Sequence, residues 1–163
     1  MSTPIEILEG PMAEARKLLP SLSWSADVCI LLLAIGLQES GLLYRRQHNQ
    51  GPAKGLWQFE AGGGVKGVMT HAASRELAQQ VAAARGVAWL RPAVWDALET
   101  DDVFACCMAR LLLWTDPKAV PRRGDIEGAY ATYEWNWRPG KPHKQDWPAN
   151  YQKAVQAVIG AQA

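Results

Sequence analysis

Ten consecutive residues, Val28-Cys-Ile-Leu-Leu-Leu-Ala-Ile-Gly-Leu37, constrain this chain more than any other feature. Wound as a helix they leave no polar stripe, so the helix must be covered on all sides. The run is too short to cross a bilayer, which takes about 20 apolar residues, and Gln38-Glu39-Ser40 follow it at once. Other elements therefore have to wrap it. A chain of 163 residues can supply them, because one of that size buries roughly 70% of its unfolded surface. Apolar residues at 48% and charged ones at 20% fit a globular chain. With no repeat and no low-complexity linker, residues 1–163 read as a single domain.

The wrapping elements also read as helices. Residues 12–19 carry a helical pattern stopped by Pro20, and Ser23 or Ser25 can cap the central helix, with Asp27 at its positive end. Gly41 is the expected stop. Helical patterns resume after Thr70, over Ala72–Arg85, and recur at Ala93–Leu98 and at Asp102–Trp114. In the last of these, Val103, Cys106, Cys107, Leu111 and Trp114 fall on one stripe. Asp125–Tyr133 and Asn150–Ile159 complete the set. Residues 45–67 differ. They are polar and glycine-rich around Leu56-Trp-Gln-Phe-Glu60, which predicts an irregular loop with at most a short hairpin. The expected class is mainly α with a minor β element.

Several function classes are disfavoured. A net charge of +1, from 17 basic and 16 acidic residues, gives no field for nucleic acid or anionic lipid. Cys29, Cys106 and Cys107 lie in apolar runs, share no ligand spacing with the three histidines, and read as core residues rather than a metal site. No cofactor motif is present: Gly62-Gly-Gly-Val-Lys-Gly lacks the spacing of a phosphate loop, and its glycines are expected to make sharp turns. Arg122-Arg123 is too short for a nucleic-acid patch. The N-terminus shows no export signal, so the chain is expected to be made in a cytoplasm.

Glu39 is the residue to ask about chemistry. It ends the most apolar helix, so its carboxyl emerges at the rim of the core, where burial disfavours charge and raises a carboxyl pKa. A general acid needs that property near neutral pH. Glu39-Ser40-Gly41, followed by Gly55-Leu56-Trp57-Gln58-Phe59-Glu60, resembles the active-site signature of lytic transglycosylases and goose-type lysozymes, a Glu-Ser at a helix end and then Gly-Leu-Met-Gln. Trp57 stands where that pattern has methionine. The likeness extends over Ala34–Glu60, with a looser match in Ala129–Gly140 through Tyr133 and Asn136. It is nearest to small phage-encoded members carrying Gly-Pro-Ala-Lys-Gly-Leu-Trp-Gln-Phe-Glu and Gly-Gly-Gly-Val-Lys-Gly-Val.

The resemblance implies a lysozyme-like fold and cleavage of peptidoglycan between N-acetylmuramic acid and N-acetylglucosamine. Glu39 would be the acid/base group, and no cofactor or metal would be required. In a lytic transglycosylase one glutamic acid suffices, whereas a hydrolase needs a base for water, commonly a second carboxylate. Glu60 falls where goose-type lysozymes place an aspartate, so both outcomes stay open. Ser40, Trp57, Gln58, Tyr133 and Asn136 would contact the glycan or hold the site, Tyr133 by orienting Glu39 and Ser40 by hydrogen bonds. Arg46 and Gln47 are expected either to line the cleft or to face solvent, with solvent favoured. Of the tryptophans in loops, Trp57, Trp135, Trp137 and Trp147, about half should face a sugar, while Trp89, Trp95 and Trp114 belong to the core. A wall-cutting enzyme without an export signal implies delivery to the periplasmic wall by a virion, a holin or a secretion machine, with other virion proteins as partners. Two other classes are open: a non-catalytic virion component with the same fold, and a chitin-cleaving hydrolase.

Overall fold

The computed structural model describes residues 2–162. Among these residues nine α-helices and one two-stranded sheet run in the order α1 (Pro4–Glu9), α2 (Pro11–Leu18), α3 (Ala26–Ser40), β1 (Ala53–Lys54), β2 (Phe59–Glu60), α4 (Lys66–Thr70), α5 (Arg75–Ala84), α6 (Arg91–Thr100), α7 (Asp102–Trp114), α8 (Ile126–Trp137) and α9 (Trp147–Gln162). The chain is mainly helical, with a minor antiparallel β element. Among the described residues no helix is long and apolar enough to cross a membrane.

The apolar run behaves as its composition demands. Ser25 caps α3, its hydroxyl accepting from the Val28 amide at 3.3 Å, and Gly41 ends the helix in the left-handed conformation. Val28 through Gly36 are all buried, against α9 above all and also against α1. A second enclosed helix, α7, packs on α2, α5 and α6. Its N-cap is Asp101, whose carboxylate accepts from the Phe104 amide at 3.0 Å. Burial on α7 is not confined to one stripe: Phe104 to Leu113 are all buried, whereas Trp114 is 46% exposed. Trp114 is therefore not a core residue. It flanks the buried Arg110, whose Nε donates to the Ser23 carbonyl at 3.0 Å and whose guanidinium also faces the Trp24 ring. This strut ties α7 to the turn before α3. The three cysteines are free and buried within the same core, and burial pushes the Cys107 thiol up to about 12.

Some boundaries move from those expected. α1 is an additional helix, closed by a capping box in which Thr3 and Glu6 each bond the other's backbone amide. Gly62–Gly64 lie in a short helical segment, Ala61–Val65, that runs into α4 and is kinked at Gly63 (φ −106°, ψ −106°), where Gly63 and Gly64 edge the cleft. α8 continues to Trp137, so Trp135 and Trp137 are helical, and Trp147 opens α9.

The hairpin is short and firmly anchored. β1 and β2 pair antiparallel, with Ala53 opposite Glu60 and Lys54 opposite Phe59. Gly55 follows β1 at φ +80°, and a Cβ there would meet the Leu98 carbonyl at 2.8 Å. Only glycine fits that approach to α6. Lys54 is buried, and its ammonium sits 2.8 Å from Asp96, 3.2 Å from Glu99 and 3.9 Å from the centre of the Trp95 ring. Trp95, only partly buried, returns a hydrogen bond to the Pro52 carbonyl at 2.9 Å. The hairpin is thereby fixed on α6, and its connecting loop is tied to the end of α3 through Ser40 and the Leu56 carbonyl.

Candidate active site

The end of α3, the hairpin and the end of α8 enclose an open cleft of about 880 Å³. Glu39, the penultimate residue of α3, lies in its wall. The Tyr133 hydroxyl donates to Glu39 Oε1 at 2.7 Å. Burial raises the Glu39 pKa most; the phenolic hydrogen bond opposes this and the charge of Glu60 adds to it, leaving the carboxyl at about 7. A carboxyl in that range holds a proton at neutral pH and can also accept one.

Tyr133 is itself held rigidly. It is 2% exposed, stacked face to face on Trp147 at 5.3 Å and met edge-on by Tyr130 at 5.8 Å. Burial and the neighbouring Glu39 push its own pKa up, so it stays a neutral donor. The α8 helix and the start of α9 thus aim one phenol at one carboxyl. Glu60 lines the same cleft from the opposite, hairpin side, but it is exposed.

The remaining candidates separate into two groups. Gln58 and Asn136 line the cleft. Gln58 adopts φ +52°, with its side-chain amide donating to the Gly55 carbonyl at 2.9 Å. Asn136 donates to Asp116 and to the Thr132 carbonyl, both at 2.9 Å. Ser40 and Trp57 support the cleft from beneath. Ser40 also reaches the cleft wall, but it is buried and its hydroxyl is engaged by backbone, donating to the Leu56 carbonyl at 2.6 Å and accepting from the Leu42 amide. It is a strut between α3 and the hairpin loop. Trp57 is 1% exposed and donates to the Leu32 carbonyl at 2.8 Å. Its ring lies against α3 at Gly36, where a Cβ would come within 3.3 Å of the indole nitrogen. The bulky residue at this position is therefore core, and it shapes no sugar-facing wall.

Of the other tryptophans expected in loops, Trp137 alone lines the cleft, its indole donating to the Trp57 carbonyl at 2.9 Å. Trp147 is buried under Tyr133, and Trp135 is 65% exposed outside the cleft. Arg46 and Gln47 both line the cleft, Arg46 half-buried and Gln47 exposed to solvent there. Arg46 leans on Glu99 at 3.6 Å, and the Gln47 side chain accepts from the Ala53 amide at 3.1 Å. Sequence reasoning passed over Gln38, Arg138 and Lys141, which also line it. The two prolines bracketing Gly140-Lys141 were the available signal for Lys141, since they stiffen the segment that carries it. Gln38 is placed by its partners, the His143 carbonyl and Asn150, each at 2.9 Å, and nothing local announces that.

No family model, curated protein or solved structure matches this chain.

Among the described residues no cluster of histidine, cysteine, aspartate and glutamate could hold a metal ion. The cleft is lined by one carboxyl raised to about 7, the rigid phenol bonded to it, the exposed Glu60 and the side-chain amides of Gln58 and Asn136. Such a set can deliver a proton to a leaving oxygen and take one back from a hydroxyl.

Proposed function

We propose that this chain is a lysozyme-like domain that cuts the glycan strands of peptidoglycan between N-acetylmuramic acid and N-acetylglucosamine. The observation that carries this reading is the Glu39 carboxyl: recessed in the wall of a cleft, hydrogen-bonded by Tyr133 and raised to about 7. The resemblance of Glu39-Ser40 and Gly55–Glu60 to lytic transglycosylases and goose-type lysozymes supplies the substrate class, and an open cleft suits a polymer rather than a small molecule.

The chemistry follows from the protonation state. Protonated Glu39 gives its proton to the glycosidic oxygen as the carbon–oxygen bond breaks and positive charge develops on the sugar. Glu39, now a carboxylate, removes a proton from the incoming hydroxyl as the new carbon–oxygen bond forms. If that hydroxyl is the sugar's own C6 group, the product is a 1,6-anhydro ring. If it is water, the product is a reducing end. Glu60 in the same cleft is suited to activate water, which favours keeping hydrolysis beside transglycosylation.

Delivery by a virion or as a phage lysin is part of the same proposal. Purified sacculi should lose turbidity with the wild-type chain and keep it with Glu39→Gln, and mass spectrometry of the released muropeptides separates anhydro from reducing ends by one water. Equal clearing by both proteins would remove Glu39 from the mechanism. Clearing by neither would favour a non-catalytic virion component, and cleavage of chitin oligomers alone would move the substrate class.

A further inference from the structure

The charges around the cleft are unevenly placed. Two carboxyl groups line it, Glu39 and Glu60, and three permanent cations, Arg46, Arg138 and Lys141. With Glu39 protonated, the lining carries three positive charges against one negative. Arg46 is occupied by Glu99. Arg138 and Lys141 have no ion-pair partner among the described residues, Arg138 making only a long hydrogen bond, 3.4 Å, to the Trp135 carbonyl and facing the Trp135 ring at 5.5 Å. Lys144, just beyond them, turns outward to Glu127 at 3.5 Å.

The backbone holds these two cations at one edge of the cleft that Glu39 lines. Arg138 leaves the end of α8 in the left-handed conformation, φ +48°, which turns the chain off the helix axis. Pro139 and Pro142 then limit the segment's freedom. At its far end the His143 carbonyl accepts from Gln38, the residue next to Glu39, at 2.9 Å. The segment thus spans the cleft edge from Trp137 to α3.

From this we infer that Arg138 and Lys141 form a carboxylate-binding subsite, which makes the preferred substrate a glycan strand bearing anionic side groups. In peptidoglycan those groups are the carboxylates of the stem peptides. A neutral polymer such as chitin offers nothing to the two cations. The inference rests on the proposed glycan cleavage and names its substrate class more narrowly.

The test compares native sacculi free of teichoic acid with the same sacculi after their carboxylates are capped as methylamides. The wild-type chain should release fragments from native sacculi roughly tenfold faster, the size expected for two exposed charge pairs. That preference should shrink as salt rises, because exposed pairs are screened. Arg138→Ala with Lys141→Ala should bring the ratio of the two rates near one, and the Arg138→Lys, Lys141→Arg pair should keep it. Circular dichroism verifies that the double variant is folded. If it melts early, Lys141→Ala alone, on an exposed side chain, is read by the same ratio. A wild-type ratio near one, with cleavage still abolished by Glu39→Gln, overturns the subsite and leaves glycan cleavage standing. A ratio that survives the alanine variant overturns it too. Failure of folded wild-type protein to cut either substrate overturns the parent reading and the subsite with it.

Discussion

The two walls of the cleft each present a carboxyl group, and they treat it oppositely. On the helical wall Glu39 sits at the end of a buried helix, with a phenol 2.7 Å away and aromatic rings packed behind that phenol. On the hairpin wall Glu60 ends a two-residue strand and is exposed. The same functional group is held near pH 7 on one side and bathed in water on the other. Water decides the difference: desolvation is the largest cause of the Glu39 shift, and the charge of Glu60 adds a smaller push. The walls thus differ in what they do to a carboxyl, one desolvating it against a phenol, the other leaving it exposed.

The sharpest way to break that contrast is to neutralise each side in turn. Glu39→Gln should lower the rate of glycan cleavage by about a thousandfold, within the span assigned to a positioned general acid. Glu60→Gln should cost at least tenfold less than that. The initial rate of muropeptide release measures both. Equal losses would mean the two carboxyls act as a pair and that exposure does not separate their roles.

The second test needs no substrate. A carboxyl whose pKa is raised on folding favours the native state below the unfolded value near 4.5, and that contribution is lost as pH rises through the folded value near 7. Above pH 7 the buried wall therefore costs the native protein up to about 3 kcal/mol. Glu39→Gln removes the titration, so its stability relative to wild type should rise between pH 4.5 and 7 and level off beyond. Thermal or urea melts across that range read the difference directly. A gap that stays constant from pH 4 to 8 would mean the carboxyl is not desolvated.

The contrast between the walls also sets what could be read without coordinates. Val28–Leu37 announces its burial because ten apolar residues in a row leave no solvent face, and Ser25 and Gly41 mark the helix ends with local chemistry. Glu39 was therefore legible in both position and environment. The hairpin wall was legible only as a change of texture. Its shape is set by tertiary contacts: Lys54 buried against Asp96, Glu99 and Trp95, and Gly55 against Leu98. Those partners lie some forty residues downstream, and no local pattern links them. Trp57 was misplaced for the same reason. A tryptophan among glycines and polar residues looks exposed until its partner, the Gly36 face of α3, is known. Helix α8 outran its expected end because its last residue, Trp137, finds cover against Phe59 and Tyr133 rather than in a periodic stripe.

The smallest of the three effects probes the bond that keeps the helical wall from becoming too apolar. The Tyr133 hydroxyl stabilises the charged form of Glu39 and so pulls its pKa down against burial. In Tyr133→Phe only burial and the Glu60 charge remain, and both act upward. The pKa of Glu39 must then rise above its present value near 7. If protonated Glu39 is the acid, the alkaline limb of the pH–rate profile moves up with it. The maximal rate should fall by about tenfold, because the loss of one hydrogen bond to a charged group, about 1.5 kcal/mol at the low end, makes the carboxylate a costlier product of the first step. The two readouts separate orientation from titration. A slower enzyme with an unmoved limb would make Tyr133 a spacer that only fixes the side chain's direction. A limb displaced downward would mean that the phenol had been accepting a proton from Glu39 rather than donating one, and the electrostatics of this wall would have to be inverted.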